Sequence, residues 1–103
     1  MSWFSLFPDP RLGGKERSPK WEEVRGQYRK KNPLCAVCGN WKVEIHHIKP
    51  FHLYPELELD ESNFISLCEV HHFWFGHLGS YKSFNESVRE DSKIWNEKIK
   101  SRK

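Results

Sequence analysis

Three cysteines and a histidine occur in this chain as two pairs with the same spacing. The pairs are Cys35–Cys38 and, thirty residues further along, Cys68–His71. Two intervening residues let both side chains of a tight turn face one ion, and four Cys and His ligands without a carboxylate form the closed tetrahedral set that Zn²⁺ prefers. The alternative is three buried cysteines that act as small apolar residues, which leaves the repeated spacing unexplained. The sequence therefore predicts a structural zinc site that stabilises a small fold.

The length and composition indicate one small domain. A chain of 103 residues would leave each half near the lower size limit if it formed two cores. Its aromatic content of 15% is too high for a disordered chain, and no stretch approaches the roughly 18 apolar residues that span a membrane. An odd number of cysteines and an apolar opening segment without a basic leader favour a reducing compartment. We therefore expect a soluble cytoplasmic protein with no membrane partner.

Local patterns predict an irregular arm over residues 1–17 and one α+β domain over residues 18–103. Proline and glycine interrupt the arm, whereas the domain has apolar residues at helical and then alternating spacing. The predicted elements are, in chain order, a helix that starts at Ser18-Pro19 and runs to about Lys31, strands over residues 42–48 and 63–67, a short helix over residues 68–75 that breaks at Gly76, and a last helix capped by Asn85.

Basic residues are concentrated towards the two ends of the chain. Residues 11–32 hold eight basic and three acidic side chains, residues 33–85 hold three and six, and residues 86–103 hold six and four. Such a distribution suits a polyanion held across a central site, although solvated helix faces explain it equally well. The candidate DNA-binding residues are Arg25, Arg29, Lys30 and Lys49.

After zinc has taken one of the two histidines at positions 71 and 72, four others remain close to the cysteines in the sequence: His46, His47, His72 and His77. His46 and His47 are neighbours in a predicted strand, so their side chains diverge and should have different roles. His71 and His72 lie about 100° apart around a helix, so one can face the cysteines and the other a second site. The middle of the chain therefore contains a second group of histidines, and Asn63 lies between these two pairs.

The order of these blocks resembles the HNH endonuclease family. The blocks are the Cys35–Cys38 pair, the segment Glu44-Ile-His46-His47-Ile48-x-Pro50, and the segment Asn63-Phe-Ile-Ser-Leu-Cys68-x2-His71-His72. The resemblance covers about residues 33–79. The chain is also similar to small HNH proteins that phages and prophages encode. The resemblance implies a ββα-metal core, in which two strands and a helix hold one catalytic metal, with flanking helices and a zinc knuckle.

The resemblance also implies a role for each matching residue. His46 and His72 match metal ligands, and His47 matches the general base that activates water. Asn63 matches the residue whose amide bonds the backbone that carries the base, so the implied catalytic set is His47, Asn63 and His72. His77 could be a third ligand, but its five-residue spacing from His72 is about 140° off in a regular helix, so its participation requires the helix to break at Gly76. His71 stands where most zinc-bearing members have a cysteine.

We therefore expect a metal-dependent endonuclease that hydrolyses DNA phosphodiester bonds. A neutral imidazole near its ordinary pKa can act as base, and a divalent ion (Mg²⁺, Mn²⁺, Ni²⁺ or Zn²⁺) can stabilise the developing charge. One such site in a monomer predicts a nickase, whereas cleavage of both strands requires a weak dimer or two events. The resemblance further implies a role in phage DNA processing in a bacterial host, beside a terminase or another DNA-processing protein. The competing hypothesis is a zinc-stabilised module that binds DNA or protein without catalysis.

Overall fold

Two short strands and three helices carry the residues singled out above. The computed structural model describes residues 17–102, so the predicted arm lies almost wholly outside the described residues. The elements are, in chain order, α1 (Trp21–Lys31), β1 (Glu44–His47), β2 (Phe64–Leu67), α2 (Glu69–His71), a π-helical turn (His72–Gly76) and α3 (Val88–Ser101), with 3₁₀ turns at Pro55–Leu57 and Glu61–Asn63. The α+β class is confirmed.

The two strands pair antiparallel and divide the structure into two faces. In the register His46 lies opposite Ile65, and His47 lies opposite Phe64. Because side chains alternate along a strand, His46 points to one face of the sheet and His47 to the other. The two neighbouring histidines therefore have separate surroundings, as the sequence predicts.

Each face of the sheet has its own apolar cluster. On the His47 face, Trp21 and Tyr28 of α1 pack on Phe64, and the Tyr28 hydroxyl donates a hydrogen bond to the Phe64 carbonyl oxygen at 3.1 Å. On the other side, Val37 of the cysteine turn and Val88 of α3 pack against the strands. Both valines are fully buried, which anchors the turn and the last helix to the sheet.

Two predicted helix starts are wrong. α1 begins at Trp21 rather than at Ser18-Pro19, because the Ser18 carbonyl and hydroxyl oxygens accept hydrogen bonds from Trp21 and Lys20 N–H in a preceding turn. α3 begins at Val88 and is not capped by Asn85, whose side-chain oxygen accepts from Ser87 N–H in another turn. The strands are also shorter than predicted, at four residues each.

The helix after β2 ends at Gly76, as predicted, but its pitch changes before it ends. After α2, the chain forms a π turn over His72–Gly76, and His77 N–H donates to the His72 carbonyl oxygen at 3.2 Å. A bond between residues five apart is the hallmark of a π-helix and brings positions five apart towards one side. The predicted 140° separation of His72 and His77 is therefore removed by widening the helix.

Among the described residues, no helix is long and apolar enough to cross a membrane.

Candidate metal centres

The four residues of the predicted zinc site lie together and could hold a metal such as zinc. Their ligand atoms all fall within 4.8 Å of one another. The His71 Nδ1 atom is 3.3 Å from Cys68 Sγ and 3.7 Å from Cys35 Sγ, and the Cys38 and Cys68 sulfur atoms are 3.8 Å apart. Ligands about 2.0–2.3 Å from a tetrahedral Zn²⁺ are separated by roughly 3.4–3.8 Å, so this spacing fits one ion. We call these residues the cysteine cluster.

Short-range hydrogen bonds shape the turn that carries the first two cysteines. The Cys35 sulfur accepts a hydrogen bond from Val37 N–H at 3.4 Å, and Gly39 N–H donates to the Cys35 carbonyl oxygen at 2.9 Å. Gly39 has a φ of +81°, which glycine adopts without a steric penalty. Ala36 N–H bonds the Ser66 carbonyl oxygen of β2, so the turn is fixed beside the strand that leads into Cys68.

His46, His72 and His77 form a second cluster that could hold a metal ion, which we call the histidine cluster. One ring nitrogen of each lies within 4.8 Å of the others, and the ring centroids are 4.8 to 4.9 Å apart. Gly76 makes room for this packing, because a Cβ atom there would lie 3.0 Å from His46 Nε2. The structure thus brings His77 together with the two other predicted ligands.

Hydrogen bonds fix the tautomers of two of these rings. His77 Nδ1 lies 2.8 Å from the Ser83 carbonyl oxygen, and His72 Nδ1 lies 2.6 Å from Glu44 Oε1. A carbonyl oxygen only accepts, and the bond from His72 lowers the pKa of the Glu44 carboxyl, which therefore also accepts. Both Nδ1 atoms carry a proton, so in the neutral rings both Nε2 atoms present a lone pair.

These two Nε2 atoms lie 3.2 Å apart. Two lone pairs at this distance repel unless a cation lies between them. The third ring also offers a nitrogen to a cation, since His46 Nε2 is buried and has no hydrogen-bond partner among residues 17–102. Burial, and then the charges of His72, His77 and His47, lower the pKa of His46 to about 2, so it is neutral and available as a ligand. The unpaired nitrogens therefore fit a bound metal ion.

His47 lies on the opposite face of β1 and is held on two sides. Its Nε2 atom donates to the Glu58 carbonyl oxygen at 2.8 Å, so Nδ1 is the nitrogen that can accept a proton. The imidazole stacks on Trp21 with ring centroids 4.5 Å apart and planes 26° apart. The expectation of an ordinary pKa is wrong. Burial and, to a smaller extent, the charge of Arg17 lower the pKa of His47 to about 4, although the hydrogen bond to Glu58 opposes this shift.

Asn63 bonds the backbone just beyond His47, as the resemblance implies. Its Nδ2 atom donates to the Lys49 carbonyl oxygen at 3.0 Å, and its Oδ1 atom accepts from Lys49 N–H at 2.9 Å. The Asn63 carbonyl oxygen also accepts from Ile48 N–H at 2.8 Å. Three hydrogen bonds from one buried residue thus fix the two residues that follow His47.

Three residues that contact the histidines were not predicted to do so. Glu44 bonds His72, Glu58 bonds His47 through its backbone, and Trp21 stacks on His47. The alternation of β1 contains a signal for Glu44, which is two residues from His46 and therefore on the same face. The contact of Glu58 depends on how the loop after β1 folds back, for which the sequence gives no local signal.

The four predicted DNA-binding residues do not form one patch. Arg25 and Arg29 are four residues apart on α1 and share a side, but Lys30 is about 140° from Arg25 around the helix. Arg25 forms an ion pair with Glu22, and the Lys49 ammonium lies 5.3 Å from the centre of the Tyr54 ring. The role of these four residues in DNA binding stays a prediction.

Comparison of the chain with protein-family models, with curated proteins and with solved structures found no match. The candidate site therefore rests on the geometry of the chain itself.

Proposed function

We propose that this chain is a metal-dependent endonuclease of the HNH type that hydrolyses DNA phosphodiester bonds. The observation that carries the proposal is the pair of facing Nε2 lone pairs on His72 and His77, 3.2 Å apart, next to the unpaired Nε2 of His46. An arrangement that only supported the fold would satisfy these atoms with hydrogen bonds. The antiparallel strands and the following helix match the ββα-metal core that the resemblance implies.

The cysteine cluster is proposed to hold a structural zinc ion. Its four donors are used up by one tetrahedral ion, which leaves no open position for substrate. The histidine cluster supplies only three donors and so leaves positions free. Three imidazoles without a carboxylate favour Zn²⁺ or Ni²⁺ over Mg²⁺, which prefers oxygen ligands.

His47 is proposed to be the general base. The Glu58 carbonyl oxygen holds the proton on Nε2, and Nδ1 takes the proton from the attacking water. Asn63 fixes the segment after His47, and Glu44 keeps the His72 proton on Nδ1. When bound, a divalent ion would supply positive charge for the phosphate oxygens and the leaving oxygen. Because the pKa of His47 is about 4, its neutral base form predominates at neutral pH.

The test is metal-dependent nicking of supercoiled plasmid. We expect relaxed circles with Zn²⁺, Ni²⁺ or Mn²⁺ and none with EDTA or with His47→Ala. The matched control is His52→Ala, which removes an exposed histidine from the loop that follows β1. Retardation of the plasmid without nicking by the wild-type protein under all metal conditions would instead identify a binding module. A role in phage DNA processing, with a terminase as partner, stays a prediction of the resemblance.

A further inference from the structure

A row of aromatic rings leads from the histidine cluster to the protein surface. The Tyr81 ring lies 4.9 Å from the His77 ring, and Phe73 lies 5.0 Å from Tyr81. Trp74 continues the row at 5.0 Å from Phe73. Tyr81 and Trp74 are 40% and 60% exposed, respectively. We call Phe73, Trp74 and Tyr81 the aromatic row.

The exposed end of the row is held in place. The Trp74 ring covers Gly79 so closely that a Cβ atom at this position would lie 2.8 Å from it. Gly79 has a φ of +82°, and its N–H donates to the Phe73 carbonyl oxygen at 3.0 Å. Leu78 next to it also adopts a positive φ, of 54°, which is unfavourable for a residue with a side chain. The turn after the π helix thus supports a tryptophan that remains open to solvent.

Exposure distinguishes Trp74 from a core residue. Trp21 packs on Phe64 and His47 and is only 8% exposed, whereas Trp74 leaves more than half of its surface in water. Exposed apolar surface of this kind is typical of a binding site. An exposed lysine, Lys82, directly follows Tyr81 and adds a positive charge beside the row.

We propose that the aromatic row is a stacking platform for unpaired nucleobases, so the preferred substrate is DNA with a single-stranded segment beside the scissile phosphate. The inference rests on the proposed nuclease function. Aromatic rings about 5 Å apart, continuous with the histidine cluster, suit a strand that enters this cluster with its bases unstacked from a partner. Bases inside a duplex offer no free face to such rings, whereas every unpaired base does. Lys82 suits the phosphates of the same strand.

The test measures binding of a fluorescent thymidine oligonucleotide of about 12 nucleotides, a length within the usual range for single-strand sites. All variants carry His47→Ala, which prevents cleavage during the titration. We expect Trp74→Ala to weaken binding about tenfold and Trp74→Phe, which keeps a ring, to restore most of it. Trp41→Ala is the matched control, because Trp41 is 73% exposed and its ring stacks against the Lys42 ammonium instead. Blunt duplex of the same length should respond little to Trp74→Ala.

Two outcomes would overturn the inference. Equal oligonucleotide affinity in Trp74→Ala and the parent protein would assign the aromatic row to a protein partner instead. An equal loss for duplex and single strand would remove the preference for unpaired bases. Plasmid nicking by the wild-type chain is measured separately, so an absence of cleavage with intact, Trp74-dependent oligonucleotide binding would reject the proposed hydrolysis and not the stacking platform.

Discussion

Replacing Asn63 by alanine separates the stability of the fold from the orientation of the base. The substitution removes two hydrogen bonds to Lys49, at 2.9 and 3.0 Å, from a residue that is 6% exposed. A hydrogen bond lost from a fully buried backbone partner costs about 1–3 kcal/mol. Because Lys49 is only partly buried, we expect the loss of both bonds to lower the free energy of unfolding by roughly 2–4 kcal/mol. The backbone bond from Ile48 N–H to the Asn63 carbonyl oxygen is unaffected by the substitution. The segment after His47 should therefore become more mobile but stay bonded to the backbone of residue 63.

Most of the protein should remain folded, since small domains are stable by about 5–15 kcal/mol. Plasmid nicking should nevertheless fall by more than the folded fraction does, although by less than the loss of about 10²–10⁴-fold expected when a general base is removed. Urea denaturation gives the folded fraction, and initial rates of nicking give the activity.

The matched control is Asn96→Ala. Asn96 donates one side-chain hydrogen bond to the Val37 carbonyl oxygen at 3.0 Å, so its loss also weakens the fold, but on the side of the cysteine turn. We expect this variant to lose stability and to retain the nicking rate of its folded fraction. Nicking that falls only in proportion to unfolding in both variants would refute a positioning role for Asn63.

The other predictions concern the two metal clusters and the base. His47→Ala should abolish nicking while metal affinity stays normal, and a loss of metal binding in a chelator titration would show that the roles of the two neighbouring histidines are exchanged. Glu44→Ala should weaken metal binding about 10- to 100-fold, because the His72 proton loses its acceptor, and unchanged affinity would contradict this. Cys35→Ser should lower the melting temperature and the zinc content found by elemental analysis, and a normally melting, zinc-free wild type would exclude the structural site. The metal-free protein should lose stability as the pH falls from about 6.5 towards 4. In this range His46 and His47 become protonated in the unfolded chain but stay neutral in the folded state, where their pKa values are about 2 and about 4. Urea midpoints that do not change with pH would contradict this.

Spacing along the chain predicted the members of the cysteine cluster, because local geometry decides them, whereas the members of the histidine cluster were predicted through the resemblance. Cys35 and Cys38 share a tight turn whatever the rest of the chain does, and His46 and His47 point to opposite faces of any strand. The hydrogen bond of Asn63 was predicted only through the resemblance.

The surroundings of His47 could not be predicted, because they depend on contacts between distant segments. The low pKa of His47 comes first from burial under Trp21 of α1, and its partner Glu58 is eleven residues away in an irregular loop. The predicted starts of α1 and α3 were wrong because a turn precedes each helix. Ser18 and Asn85 are good capping residues, but their side chains bond turns that precede the helices.

The π turn affects how a pair of metal-ligating histidines can be found in a sequence. A π turn corresponds to one residue inserted into an α-helix. The interval of five positions from His72 to His77 therefore places the two side chains on one side, as an interval of four does in a regular helix. Deleting one residue from positions 73–75 should let the helix run on with both imidazoles on one side. A motif search that fixes this interval at four positions would miss this chain, whereas a pattern that also allows five positions would find it.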